Sequence, residues 1–145
     1  MGAVLAIDFG TKRIGLAVTD PERKFVFPRD TLLRKTLEAD LDAIAGLCRE
    51  DDVDLLVVGL PLNADGSAGP MVDAARAFGE QVARRTGLPL VYVDERYSSI
   101  EADERLREIH GRDTRKRRAL RDRAAAAIIL RTFLEHGPHP DPSSR

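Results

Sequence analysis

Two short apolar runs open the chain, Val4-Leu5-Ala6-Ile7-Asp8-Phe9-Gly10 and Ile14-Gly15-Leu16-Ala17-Val18, with the polar turn Thr11-Lys12-Arg13 between them. Their β-branched and aliphatic content predicts two strands, Ala3–Phe9 and Arg13–Thr19, closely joined as a hairpin. A third strand is expected over Lys24–Thr31, at an edge or with a bulge, because Pro28 has no N–H to give a ladder. Apolar residues then recur at Leu37, Leu41, Ile44, Ala45 and Cys48, the spacing of one helical face, which predicts a helix over Leu37–Arg49. Leu55-Leu56-Val57-Val58-Gly59 is wholly apolar, as only a central strand covered on both faces tolerates. A glycine-rich loop (Pro61–Pro70), a helix (Met71–Thr86) and the strand Leu90-Val91-Tyr92-Val93 follow. Helical segments over about Ser99–Ile109 and Arg117–Leu134 complete the pattern.

Three strands joined in succession, then strand, helix and strand, imply an α/β fold. Its mixed five-stranded sheet has three antiparallel strands and then two parallel ones, flanked by helices. Residues just past the carboxyl ends of adjacent parallel strands gather on one rim of such a sheet. Asp8 ends the first strand and Asp94-Glu95 ends the last, so these acids are expected on the same rim.

Asp8 interrupts an otherwise apolar run, and an unpaired carboxylate beside such neighbours costs several kcal/mol. Either it accepts hydrogen bonds from the hairpin turn, or it faces a site where a cation balances it. The last helix supplies a third acid. Asp122 shares its stripe with Ala125, Ala126, Ile129 and Phe133, with Arg118 one turn earlier. Stabilisation by the helix dipole accounts for its sign but not for its face. Three carboxylates on one rim repel one another and raise at least one pKa unless a counter-ion intervenes. Mg²⁺ or Mn²⁺, hard cations that take oxygen ligands and phosphate, answers that conflict. Two such ions about 3.5–4 Å apart activate water and stabilise the leaving oxygen in phosphodiester cleavage. No His/Cys cluster has zinc spacing.

The net charge of −1 points to no partner, but its distribution does. From Arg112 to Arg123 seven basic residues, Arg115, Lys116 and Arg118 among them, stand against two acids, while Glu38–Asp54 is strongly acidic. A solvated helix surface is the plain explanation; a face built for a polyanion is the other. Lys12 and Arg13 lie beside Asp8, well placed to touch a phosphate, and Arg96 after Glu95 either holds a phosphate or pairs with an acid. Ser98 and Glu101 have capping-box spacing. The loop from Gly59 to Pro70 lacks the Gly-Lys-Ser/Thr of a Walker loop and reads as a β-α turn. Cys48, the single cysteine, sits on an apolar stripe as a structural thiol. With no signal peptide and no membrane-length apolar run, a cytoplasmic protein without membrane contact is expected. Length suits one domain, residues 1–136, followed by a disordered proline-rich tail, 137–145.

Four blocks, Asp8-Phe9-Gly10-Thr11-Lys12-Arg13-Ile14-Gly15, Gly59-Leu60-Pro61-Leu62-Asn63, Asp94-Glu95-Arg96-Tyr97-Ser98-Ser99 and Asp122-Arg123-Ala124-Ala125-Ala126, resemble the YqgF (RuvX) family in order and spacing. The resemblance spans about residues 3 to 135, with Ser99 where the family often has Thr and Tyr97 where Leu is common. It implies a ribonuclease H-like fold related to the RuvC Holliday-junction resolvases. It also implies a role in maturing the 5′ end of pre-16S ribosomal RNA. By motif match the catalytic, metal-binding acids carry over as Asp8, Glu95 and Asp122. The fourth acid of the RuvC enzymes is assigned no counterpart here.

The function expected is a hydrolase: a metal-dependent nuclease with Mg²⁺ or Mn²⁺, two ions, at Asp8, Glu95 and Asp122. Lys12, Arg13, Arg96, Arg115, Lys116 and Arg118 would grip nucleic acid. Its expected partners are pre-rRNA, structured DNA and the ribosomal particle, and its expected state a monomer or homodimer. Two alternatives stand beside it, a Holliday junction resolvase of DNA recombination and repair and a non-catalytic RNA-binding transcription regulator. An actin- or sugar-kinase-like ATPase, suggested by Asp-x-Gly-Thr, needs two domains around its nucleotide, more than this chain supplies.

Overall fold

A computed structural model describes residues 2–62, 65, 67, 69–95 and 114–138, the stretch 114–124 by its backbone alone. The elements run β1 (Ala3–Phe9), β2 (Arg13–Thr19), β3 (Val26–Pro28), β4 (Leu32–Leu33), α1 (Leu37–Glu50), β5 (Val53–Leu60), α2 (Pro70–Thr86), β6 (Leu90–Asp94) and α3 (Thr114–His136). The expected helix over Ser99–Ile109, the Ser98–Glu101 cap and residues 139–145 of the tail lie outside the described residues.

One mixed sheet organises the chain, in the order β3-β2-β1-β5-β6, with β4 also on β2. β1 and β2 are antiparallel, whereas β1–β5 and β5–β6 are parallel. The expected central strand is β5, between β1 and β6, with Leu56, Val57 and Val58 fully buried. The expected third strand is divided, which makes six strands where five were expected. Pro28 pairs with Ala17 and Leu32 with Ile14, so four residues of the edge advance against three of β2. That extra residue makes a bulge after Pro28, where the ladder loses a donor and the strand leaves and rejoins.

Strand alternation sends side chains to two cores. On one face Leu5, Ile7, Ile14, Leu16, Leu56 and Val58 pack under α1 and α2. α1 starts at the N-cap Thr36, whose Oγ1 accepts from Ala39 N, and buries Leu41, Ile44, Ala45 and Cys48. Burial pushes the Cys48 thiol up to about 11, as suits a structural thiol. α2 has Pro70 in its first turn and ends on Gly87 in the left-handed conformation, φ 74°. On the other face Val4, Ala6, Ala17, Val57 and Val93 pack under α3 through Ala126, Ala127, Ile129 and Leu130.

Candidate metal and nucleic-acid site

Asp8 continues the row Val4, Ala6 on the sheet face that α3 covers, one pleat beyond the last apolar position. Its antiparallel partner on β2 is Gly15. Ile7 pairs with Val58, so Asp8 comes level with Gly59 on the other side. Neither glycine sets a side chain beside the carboxylate. The three strands at that point form a floor without side chains except the acid.

Glu95 occupies part of that space. Gly59 pairs with Val93, and Glu95, two residues on, belongs to the same face. A Cβ at Gly59 would stand 2.7 Å from Glu95 Cγ, 2.8 Å from Glu95 Oε1 and 2.5 Å from Ile129 Cδ1. The glycine is therefore the gap into which Glu95 and the last helix close. The Glu95 carboxyl is hydrogen-bonded to Asp8, and its pKa is raised to about 10. Burial is the largest cause, followed by the bond to Asp8 and the negative charges of Asp8 and Asp94. Buried and flanked by two acids, the Glu95 carboxyl favours its protonated form.

The sequence expectation that Asp8 and Glu95 share a rim agrees with this geometry. Asp122 stands on the backbone of α3, four residues before Ala126 and seven before Ile129, both of which bury against the sheet. Its register is that of the covered face; its side chain lies outside the described residues. Among the described residues no group of three potential ligands is close enough to hold a metal. The pair is nonetheless the chemistry a hard cation fits: two carboxyls brought together at one end of the sheet, whose mutual repulsion a divalent ion relieves.

A cavity of about 300 Å³ opens beside Asp8, lined by Gly10, Thr11, Lys12, Arg13, Gly15 and Thr31. Lys12 and Arg13, expected next to the acid, are both exposed on this wall. Arg96 lies outside the described residues. Arg115, Lys116 and Arg118 stand on the α3 backbone without described side chains. Gly10 permits the turn, since a Cβ there would lie 2.5 Å from Arg13 O.

Three contributors were not foreseen. Thr31 lines the cavity, and its buried Oγ1 has no hydrogen-bond partner among the described residues. Gly59, in the sequence the start of a β-α turn, is the gap that Glu95 fills. Arg34 reaches under the hairpin turn. Pairing across the bulge brings Thr31 and Arg34 to the site, a long-range effect with no local signal; Gly59 stood within a motif block and was legible there.

The sequence model of the family RuvX, described as Holliday junction resolvase, matches residues 2–136. A protein of Anaeromyxobacter sp. named as a candidate pre-16S rRNA nuclease is 47% identical over 131 residues, 90% of this chain and 95% of the relative. One of the same name from Dechloromonas aromatica is 42% identical over 143 residues, covering 99% and 97%. Among solved structures, T. thermophilus RuvC in complex with a Holliday junction substrate superposes with a TM-score of 0.61 at 15% identity, over 95% of this chain and 99% of that one. That likeness shows the ribonuclease H-like, RuvC-type fold. With a family match over nearly its whole length and relatives above 40% identity, the chain belongs to the RuvX family.

Proposed function

We propose that the protein is a divalent-metal-dependent nuclease that hydrolyses phosphodiester bonds of RNA, in maturation of the 5′ end of pre-16S ribosomal RNA. The observation that carries the reading is the proton-sharing pair Asp8–Glu95 over Gly59, opening on a cavity walled by Lys12 and Arg13. The relatives named as candidate pre-16S rRNA nucleases supply the substrate class.

In this reading Asp8, Glu95 and Asp122 hold Mg²⁺ or Mn²⁺, one ion or two. An ion held there would supply an acidified water and neutralise charge on the scissile phosphate. Asp8, fixed at the end of β1 between two glycines, sets the position of the site. Asp8 and Glu95 would each give the ion a carboxylate oxygen, the Glu95 proton passing to solvent. Lys12 and Arg13 bind the backbone phosphates on one side, joined by Arg96, Arg115, Lys116 and Arg118. The catalytic unit is residues 1–136. No helix among the described residues is long and apolar enough to cross a membrane; a pre-rRNA substrate supports a cytoplasmic location.

The test uses purified protein with 5′-labelled pre-16S RNA and a mobile four-way DNA junction, in Mg²⁺, Mn²⁺ or EDTA, beside Asp8→Asn. Metal-dependent RNA cleavage that Asp8→Asn abolishes supports the reading. Symmetric incision of the junction alone favours the resolvase alternative, to which the family description points. Unchanged cleavage by Asp8→Asn overturns the site.

A further inference from the structure

Arg34 directly follows β4, and five interactions converge on it. Its backbone N–H donates to Lys12 O at 3.0 Å, and its Nη1 reaches Thr11 O at 3.5 Å. Its guanidinium lies over the ring of Phe9, 4.8 Å from the centroid, and 5.9 Å from that of Phe78. Phe9 is the residue after Asp8, and its ring packs on Phe78 of α2 at 5.0 Å. Arg34 Nε stands 3.5 Å from Oδ2 of Asp40, which is only 1% exposed. The other carboxylate oxygen of Asp40 accepts from Lys35 N at 3.0 Å, holding it at the start of α1. Neither Arg34 Nε nor Asp40 Oδ2 makes a hydrogen bond among the described residues, so the two meet as an ion pair alone.

A buried ion pair of this kind is weak evidence for stability, because desolvation offsets its attraction. Its attested use is to impose one arrangement where apolar packing would allow several. Here the arrangement imposed is that of the turn: the Arg34 backbone N–H holds the Lys12 carbonyl, and its guanidinium reaches the Thr11 carbonyl while lying over the ring of the residue next to Asp8. We propose that Arg34, anchored by Asp40, is a positioning residue that fixes the Gly10–Arg13 turn so that Lys12 and Arg13 meet the phosphates of a bound strand in register with Asp8. The proposal rests on the reading of the cavity as a nucleic-acid site. Arg34 acts through the turn and not on the reacting atoms, so the acids and their metal do not depend on it.

Two variants separate positioning from other roles. Asp40→Asn keeps the charge of Arg34 and an acceptor for Lys35 N but removes its anchor. Arg34→Met with Asp40→Asn removes the pair without leaving a buried charge. The full chain is titrated with a labelled 20-nucleotide single-stranded RNA, with Ca²⁺ in place of Mg²⁺ to slow turnover, across a salt series. Thermal melting and Mn²⁺ titration run in parallel. Both variants are expected to stay folded, to bind Mn²⁺ within twofold of wild type, and to lose about tenfold in RNA affinity. The slope of log affinity against log salt should fall by about one as a phosphate contact is lost. A role in stability alone moves the melting temperature and leaves affinity and slope in place, which overturns the proposal. A direct phosphate contact by Arg34 leaves Asp40→Asn as tight as wild type or tighter, which overturns it too. Wild type that does not bind the RNA overturns both this proposal and the nucleic-acid reading. Wild type that binds beside two equally tight variants overturns this proposal alone.

Discussion

Glu95 lies over Gly59 beside Asp8, and burial next to that acid raises its pKa. The two acids approach this closely because Gly59, level with Asp8 on the neighbouring strand, has no side chain to keep them apart. A shared proton is what two adjacent carboxyls adopt when no cation is present, and a divalent ion replaces it. Mg²⁺ or Mn²⁺ binding near pH 7.5 is therefore expected to release about one proton per protein, and affinity should rise with pH. Calorimetry in two buffers of different ionisation enthalpy measures the number. Binding with no proton released contradicts the pairing.

The same proton governs stability. Glu95 rises from its ordinary 4.5 to about 10, so its folded-state advantage is complete below 4.5 and is lost as pH climbs toward 10. Glu95→Gln keeps the hydrogen bond to Asp8 and has nothing to ionise. In EDTA, its melting temperature should overtake that of wild type increasingly between pH 5 and 10. Parallel curves would place the titrating group elsewhere. The same variant should be at least 10²-fold slower in cleavage, through loss of an oxygen anion at the site.

Gly59→Ala puts a methyl group within 2.8 Å of Glu95 Oε1 and 2.5 Å of Ile129 Cδ1. Glu95 or the helix must move by about 1 Å, and a displacement of that size costs on the order of 10²-fold in rate. Nuclease assays at saturating substrate read it. Circular dichroism should show the helical content unchanged.

Thr31→Val is nearly isosteric and removes a hydroxyl that no described residue satisfies. Deleting an unsatisfied buried polar atom is neutral or stabilising to the fold. If the hydroxyl serves a bound strand, RNA affinity falls several-fold while the melting temperature holds or rises. An unchanged Kd, measured by fluorescence anisotropy, removes Thr31 from the site.

Lys12→Ala and Arg13→Ala should each lower the salt slope of RNA binding by about one, and the double variant by about two. Both residues stand exposed on the cavity wall, so stability should change by no more than about 0.5 kcal/mol. Filter binding from 50 to 300 mM salt checks it.

Local chemistry determined much of this protein. The apolar run Leu55–Val58 announced a central strand because only a strand covered on both faces tolerates it. The stripe Leu41, Ile44, Cys48 announced α1, and Pro70 its neighbour α2. Asp8 was conspicuous because a carboxylate in an apolar strand demands a partner, and the order of strands sent Glu95 to the same rim. Tertiary structure alone decided how these acids meet. That Gly59 is the gap for Glu95 depends on the register of β1, β5 and β6, which no local pattern encodes. The one-residue bulge after Pro28 shifts the edge strand so that Thr31 reaches the cavity and Arg34 the turn. Sequence periodicity reports which face a residue occupies. Which residues of different strands come level is decided by pairing across long loops, and the site is made there.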